Sequence, residues 1–293
     1  MTEVIANSIK QKHIEPIMRQ KISLSHFFYL ILTCGFLCLF LFPYLYLMLS
    51  SFKPSREVIS SSPAFFPSQF TMDNYLAMFN HLSIGKYFGN SLVTATSATL
   101  LSVLLGSLAS YGLTRFSSKL GNLFLVFTLG VRLIPLISVA IPLYRIIGEV
   151  GLMDTKLALT LIYTSINIPF VIWMMLGFFD SMPKELDESA RVDGCGMFGA
   201  FIRIILPISL PGLATTAIFS FMQSWNDFLF GLLFTSTSAK TVPVGISEFL
   251  TAYNLDLGPM TAAATLFSLP VMLFSFFMQN YIVRGMTMGA VKE

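Results

Sequence analysis

An all-α integral membrane protein with six transmembrane helices is the fold class this sequence predicts, on three observations. Hydrophobic residues make up 55% of the 293-residue chain and charged residues only 11%, against about 25% charged in an ordinary soluble domain; mean hydropathy is +0.74. Charge-free runs at 22–52, 87–114, 157–179, 204–226 and 257–283, and a sixth at 120–144 broken only by Arg132, reach the roughly 20 residues a helix needs to cross a bilayer. The runs are continuous rather than alternating, the pattern of spanning helices and not of barrel strands.

The elements follow in order. Residues 1–24 are a polar N-terminal segment and 25–50 the first span. That apolar run is too long for a signal h-region and lacks a convincing small-residue cleavage site, so it is expected to be retained. The external loop 51–86 carries Pro54, Pro63 and Pro67 and closes on MDNYLAMFNHL, a short amphipathic helix expected at the surface. The core, 87–283, starts with span two at 88–113, where Gly106, Ala109, Ser110 and Gly112 make one side small enough for close helix approach. Span three is placed at 121–146, span four at 157–178, span five at 209–233 and span six at 261–282, with a tail at 284–293. Pro135, Pro142, Pro169 and Pro270 fall within these spans and free backbone carbonyls there.

Charge placement orients the chain. With six spans and the N-terminus inside, the inside segments hold eleven of the Lys and Arg residues, the outside segments six, and Arg132 is left within span three. The excess lies inside, as the positive-inside rule requires. Both termini and the 178–209 connector are then cytoplasmic.

That connector is the polar exception in an apolar chain. Five of the fifteen acids lie between Asp180 and Asp193. Asp180 or Ser181 can cap a helix, Pro183 is tolerated in its first turn, and acids crowd its start, where the macrodipole favours them. Gly194 after Asp193 is a left-handed stop. A second helix begins near Gly196, with Phe198, Phe201, Ile202 and Ile205 on one apolar face. Pro207 and Pro211 then bend the chain into span five. The residues alone leave two readings of this elbow, a solvated connector or a grip for a soluble partner.

Glu188, Ser189, Ala190, Asp193 and Gly194, followed by Phe201, Ile204, Leu206, Pro207 and Pro211, resemble the EAA motif of binding-protein-dependent ABC importer permeases. Ser189 and Cys195 are small, conservative departures from it. The stretches IPLYRIIGEVGLMDTKLALTLIY, SWNDFLF, TVPVGISEF and QNYIVRGMTMGAVKE are similar to the carbohydrate-uptake branch of that family, and within it to the smaller maltose-type permease subunit. The resemblance implies a cytoplasmic coupling helix between helices 4 and 5, docked in a cleft of an ATPase. Glu188 would meet a basic residue there, Gly194 would form the turn, and Ala190, Asp193, Phe201, Leu206 and Pro207 would shape and anchor the loop. It further implies a second homologous permease, two ATP-binding cassette subunits, an extracytoplasmic solute-binding protein, and a home in a bacterial or archaeal cell (inner) membrane. The expected cargo is a sugar or oligosaccharide, with a polyol or glycerol phosphate as the alternative; a stand-alone secondary transporter would need inverted repeats and several intramembrane acids, which the sequence does not display.

The expectation for this chain is a non-enzyme without cofactor or metal of its own. There is no G-x-x-x-x-G-K-[ST] phosphate loop, so ATP is expected on partner subunits. Gly194-Cys195-Gly196-Met197-Phe198-Gly199 is a literal G-x-G-x-x-G, but no strand precedes it and the acid expected about 20 residues on would fall in span five. His13, His26 and His81 are scattered, and Cys34, Cys38 and Cys195 have no metal-type spacing. Net charge of +3 gives no reason to expect nucleic acid. Trp225, Asn226 and Asp227 carry two readings: groups on a translocation pathway suited to sugar hydroxyls, or polar glue between helices.

Overall fold

The computed structural model describes residues 24–60, 64–81, 83–116, 118–251 and 254–288. Residues 1–23 of the expected N-terminal cytoplasmic segment and 289–293 of the expected tail lie outside the described residues. The chain divides into two units, 1–47 and 48–293.

The first unit is carried by helix α1 (Leu24–Ser51). Phe36, Leu39 and Phe40 stand exposed along it. A helix closes its own backbone hydrogen bonds, so an apolar exterior of this kind suits hydrocarbon rather than water.

In the second unit the short helices α2 (Ser55–Val58) and α3 (Asp73–His81) precede the long helix α4 (Ile84–Arg115). The sequence placed α3 at the surface, but one of its faces is enclosed. Asn74 is fully buried, its amide donating to the carbonyls of Ser51 and Lys53 at 3.0 and 2.7 Å. Met78 packs with Ile84, Tyr87, Val242, Phe249 and Ala262. Gly258 lies so close that a Cβ there would stand 2.3 Å from Asn74 Oδ1.

The most extensive helix pair is α4 with α7 (Lys156–Asp180). Ala98, Ser102, Gly106 and Ser110 recur every four residues and are all buried, a seam of small side chains that lets two backbones approach. A Cβ on Gly106 would meet Val171 Cγ1 at 2.6 Å. Hydroxyls on α4 bond back to their own helix, Thr94 to Asn90 O, Thr99 to Ala95 O and Ser102 to Thr99 O, at 2.8, 2.7 and 3.1 Å, whereas the Ser110 hydroxyl is buried in the seam with no partner among the described residues.

Between these helices the expected third span is not one rod. It is α5 (Lys119–Leu133) and α6 (Leu136–Glu149), bent by 97° at Ile134–Pro135. Ile134 is extended, as a residue before proline prefers. Trp173 of α7 pins α5 by donating its indole N–H to Thr128 Oγ1 at 3.0 Å. Ala140 and Ile147 of α6 pack against Leu159, Tyr163, Phe230 and Phe234. Pro142 sits inside α6 without breaking it.

After the elbow come α11 (Leu210–Trp225), α12 (Leu229–Phe234), α13 (Val242–Ser247) and α14 (Leu257–Met288). Among the described residues four helices are long and apolar enough to cross a membrane, and two bent pairs raise the number to six if each is one span. Among the described residues the only strands are a two-residue antiparallel pair, Leu250–Thr251 with Asn254–Leu255. The chain is an all-α membrane protein.

One polar buckle joins two connectors. Asp154, held at φ 57°, accepts hydrogen bonds from the amides of Ser236, Thr237, Ser238 and Ala239 and from the Thr237 hydroxyl. Burial opposes ionisation, but these donors outweigh it and hold the carboxyl well below the usual carboxylate range. Asn90 continues the link, donating to the carbonyls of Ser238 and Lys240 at 3.0 and 2.9 Å.

Candidate functional site

The elbow is built as two short helices on a glycine turn. Helix α7 runs through Asp180, so Ser181 closes that helix, its hydroxyl donating to Phe178 O at 2.7 Å, instead of opening the next one. The next helix, α8, is Glu185–Val192, and Lys184 occupies its N-cap. This corrects the capping read from sequence; the reason is that the apolar run carries α7 further than its acids suggested.

Helix α8 ends in a paired turn. Cys195 N donates to Ala190 O at 2.9 Å and Gly194 N to Arg191 O at 3.1 Å, the two bonds of a left-handed glycine stop. Gly194 has φ 85° and is exposed; Asp193 is exposed beside it, and Ala190 is buried. The chain restarts as α9 (Met197–Ala200), passes through a π-turn at Phe201–Ile205, and continues as α10 (Leu206–Ile208). Leu206 N bonds to Phe201 O, five residues back, directly before Pro207. A widened turn spares the proline ring the clash with a carbonyl four residues earlier. An 80° bend then leads into α11.

The π-turn changes which side chains face inward. Phe201 and Ile205 are buried against Tyr111, Val171, Met175 and Phe179, and Leu206 packs half-buried on the same cluster. Phe198 and Ile202, expected on that face, are 65% and 45% exposed, and Val192 is 89% exposed. Pro207 is exposed. The elbow therefore has an anchored inner face and an outer face mixing apolar side chains with Glu185, Glu188 and Asp193.

A polar lock missing from the sequence reading ties α8 to α4. Arg115 Nε lies 2.6 Å from Asp187 Oδ2, with both side chains largely buried. Tyr111 donates its hydroxyl to Asp187 Oδ1, and Arg115 Nη1 reaches Phe179 O at 3.5 Å. The signal was available in the helix period: Leu186 and Ala190 mark the inner face, and Asp187 lies three residues before Ala190. Beside the lock is a cavity of about 320 Å³ lined by Tyr111, Arg115, Lys184, Asp187, Glu188 and Arg191.

The second set of candidate residues lies apart from the elbow. Trp225 is 1% exposed, stacked on Phe267 at 5.0 Å and 8° and donating its indole N–H to Phe267 O. Asn226 is the exposed C-cap of α11. Asp227 breaks the expected fifth span: its Oδ2 accepts from Phe230 N, Gly231 N and Tyr163 Oη at 3.0, 3.1 and 2.9 Å, capping α12. Trp225 and Asp227 are thus enclosed by their own chain, and Asn226 alone of the three faces outward. Among the described residues no group of three His, Cys, Asp or Glu side chains could hold a metal.

Residues 102–288 match the family described as binding-protein-dependent transport system inner membrane component. The chain is 37% identical over 253 residues to a probable ABC transporter permease protein, YurM, of Bacillus subtilis, covering 86% of this chain and 83% of that one. It is 34% identical over 256 residues to the trehalose/maltose transport system permease protein MalG of Thermococcus litoralis, covering 86% and 91%. It is 32% identical over 269 residues to the arabinooligosaccharides transport system permease protein AraQ of Halalkalibacterium halodurans, covering 89% and 96%. In fold it is similar to a chain of a bacterial ABC transporter that imports the acidic polysaccharide alginate, with TM-score 0.71, 16% identity, and 91% and 99% of the two chains covered.

Proposed function

This chain belongs to the family of binding-protein-dependent transport system inner membrane components, and from that membership we propose that it is a permease subunit of an ATP-driven sugar importer. It is a multi-pass transport permease rather than an enzyme. Its cargo class in this reading is a sugar or oligosaccharide, as the names of several relatives describe for those proteins. A second permease, two ATPase subunits and an extracytoplasmic binding protein complete the importer in the cell's inner membrane, with both termini and the elbow in the cytoplasm and six spans in all.

The observation that carries the reading is the two-faced elbow. Exposed large apolar side chains in a polar connector mark an interaction surface, and here Val192, Phe198 and Ile202 are exposed on the same connector as Glu185, Glu188 and Asp193. Glu188 would meet a basic side chain of the ATPase, and Gly194 would set the angle between the two helices. Ala190, Phe201 and Leu206 hold the elbow against α4 and α7, and Pro207 turns it toward α11. The Asp187–Arg115 pair would make a push on α8 a push on α4. Energy is then transmitted by a rigid joint, and this chain supplies no chemistry to ATP.

The test is reconstitution of the chain with the ATPase, second permease and binding protein in proteoliposomes. Uptake of radiolabelled maltotriose, arabinotriose or the binding protein's screened ligand should require ATP and fall to background with Glu188→Lys. Full uptake by that variant, or uptake by this chain alone without ATP, would overturn the proposal.

A further inference from the structure

Arg132 is the one charged residue that interrupts the apolar run 120–144, and the coupling reading gives it no work. A cation within a span is costly unless it meets water, a partner or a ligand. It lies in the last turn of α5, where the helix C-terminus favours positive charge without neutralising it. Among the described residues the ion pairs are Arg115–Asp187 and Lys240–Glu248, so no carboxylate answers Arg132. Its guanidinium rests 5.3 Å above the Phe170 ring.

The 97° break after Leu133 opens a cavity of about 290 Å³ at this point, lined by Arg132, Ile134, Val139, Ser165, Pro169 and Gln223. Arg132, Ser165 and Gln223 are its polar groups and all three side chains are exposed. The Ser165 hydroxyl donates to Ile162 O at 2.7 Å, which leaves its lone pairs free to accept. An apolar cleft with a few convergent polar groups is the usual form of a small-molecule site, and its three walls come from α5–α6, α7 and α11.

We propose that this cavity is a solute-contact site on the translocation route, taking one sugar unit that carries an anionic group, with Arg132 on the anion and Gln223 and Ser165 on hydroxyls. The proposal rests on the importer reading for the word solute; the anion preference stands on Arg132 itself. Guanidinium matches a carboxylate in a two-bond fork, and the absence of a fixed counter-charge keeps that fork open for a passing one. The proposal makes acidic or phosphorylated sugars cargo and ranks neutral ones lower at this site.

The experiment uses the complete importer in membrane vesicles, with Cys34, Cys38 and Cys195 replaced by serine and Ser165→Cys introduced. Labelling rates are measured with an anionic sulfonatoethyl and a cationic trimethylammonioethyl methanethiosulfonate, each normalised to its rate with free cysteine. The introduced thiol should react from water and prefer the anionic reagent. Arg132→Gln should lower that preference by about tenfold, and Arg132→Lys should keep it. Glucuronate should slow the labelling, equimolar glucose should not, and Arg132→Gln should abolish the protection. Gln223→Cys is a second reporter on the opposite wall should the first fail to assemble. No reaction at either position, as when lipid or the second permease covers the cavity, overturns the proposal. So does a preference unmoved by Arg132→Gln, or equal protection by the two sugars. ATP-dependent uptake is scored on vesicles of the parent importer, in which Ser165 and Gln223 are intact: uptake there with failed labelling of the reporters overturns this site alone, and the expected labelling with no uptake by the parent supports the anion site while overturning the importer.

Discussion

Arg115, the last residue of α4, and Asp187, in the first turn of α8, meet 2.6 Å apart across 72 residues of sequence. Their bond fastens the elbow to the long helix at the centre of the fold, with the Tyr111 hydroxyl as third member.

Asp187→Asn leaves a largely buried guanidinium without its counter-charge. Loss of one partner of such a pair is expected to cost about 3 kcal/mol, read as a lowered Tm of the purified subunit. In the assembled importer the same change should lower uptake more than ATP hydrolysis, because docking surfaces remain while the joint loosens. Exchanging the pair, Arg115→Asp with Asp187→Arg, should recover part of the loss.

Glu188→Lys should behave in the opposite way. Glu188 is exposed and its carboxylate makes no ion pair among the described residues, so its replacement is expected to shift stability by less than about 0.5 kcal/mol. Co-purification of the ATPase should fall sharply while Tm is unmoved. An unchanged yield of ATPase would separate Glu188 from docking.

Gly194→Ala tests the turn. A Cβ there meets no atom within 4 Å, so crowding is not the obstacle; the φ of 85° is. A left-handed alanine is expected to cost about 1–2 kcal/mol, and Gly194→Asn less, as thermal melts of the two variants would register.

Asp154 predicts an acid limit. Its folded value lies below the ordinary one, so its contribution is complete above the unfolded value of about 3.9 and is lost as pH falls below it toward the folded value. Tm measured from pH 6 down to pH 3 should drop in the lower part of that range. Asp154→Asn keeps a residue tolerant of positive φ, should start from a lower Tm at pH 6, and should lose this part of the acid dependence.

The sequence disclosed what depends on runs and on period. Helices α1, α4 and α7 follow from uninterrupted apolar stretches, and the small seam of α4 shows in Gly106 and Ser110. The elbow was legible because Asp193-Gly194 interrupts one helix and Gly196 starts another. Its inward face was half right. Phe201 and Ile205 are buried, but the π-turn widens the spiral and leaves Phe198 and Ile202 outside; a fixed period of 3.6 cannot register one extra residue. Pro135 and Pro142 look alike in sequence, yet one breaks the span and the other rides within α6. Packing of Ala140 and Ile147 against Leu159 and Phe230 decides between them, and that is long-range information. The Arg115–Asp187 and Asp154 contacts were hidden for the same reason, since each joins segments more than 70 residues apart.

Val192, Phe198 and Ile202 also bear on how the cell must make this protein. A newly inserted copy displays these three greasy side chains on its elbow until something covers them. Copies in excess of their covering partner carry a sticky flag that quality-control proteases and chaperones recognise. In the importer proposed above, matched synthesis of the subunits follows from this surface, and overexpression of the chain by itself should yield short-lived material that co-expression with the ATPase rescues.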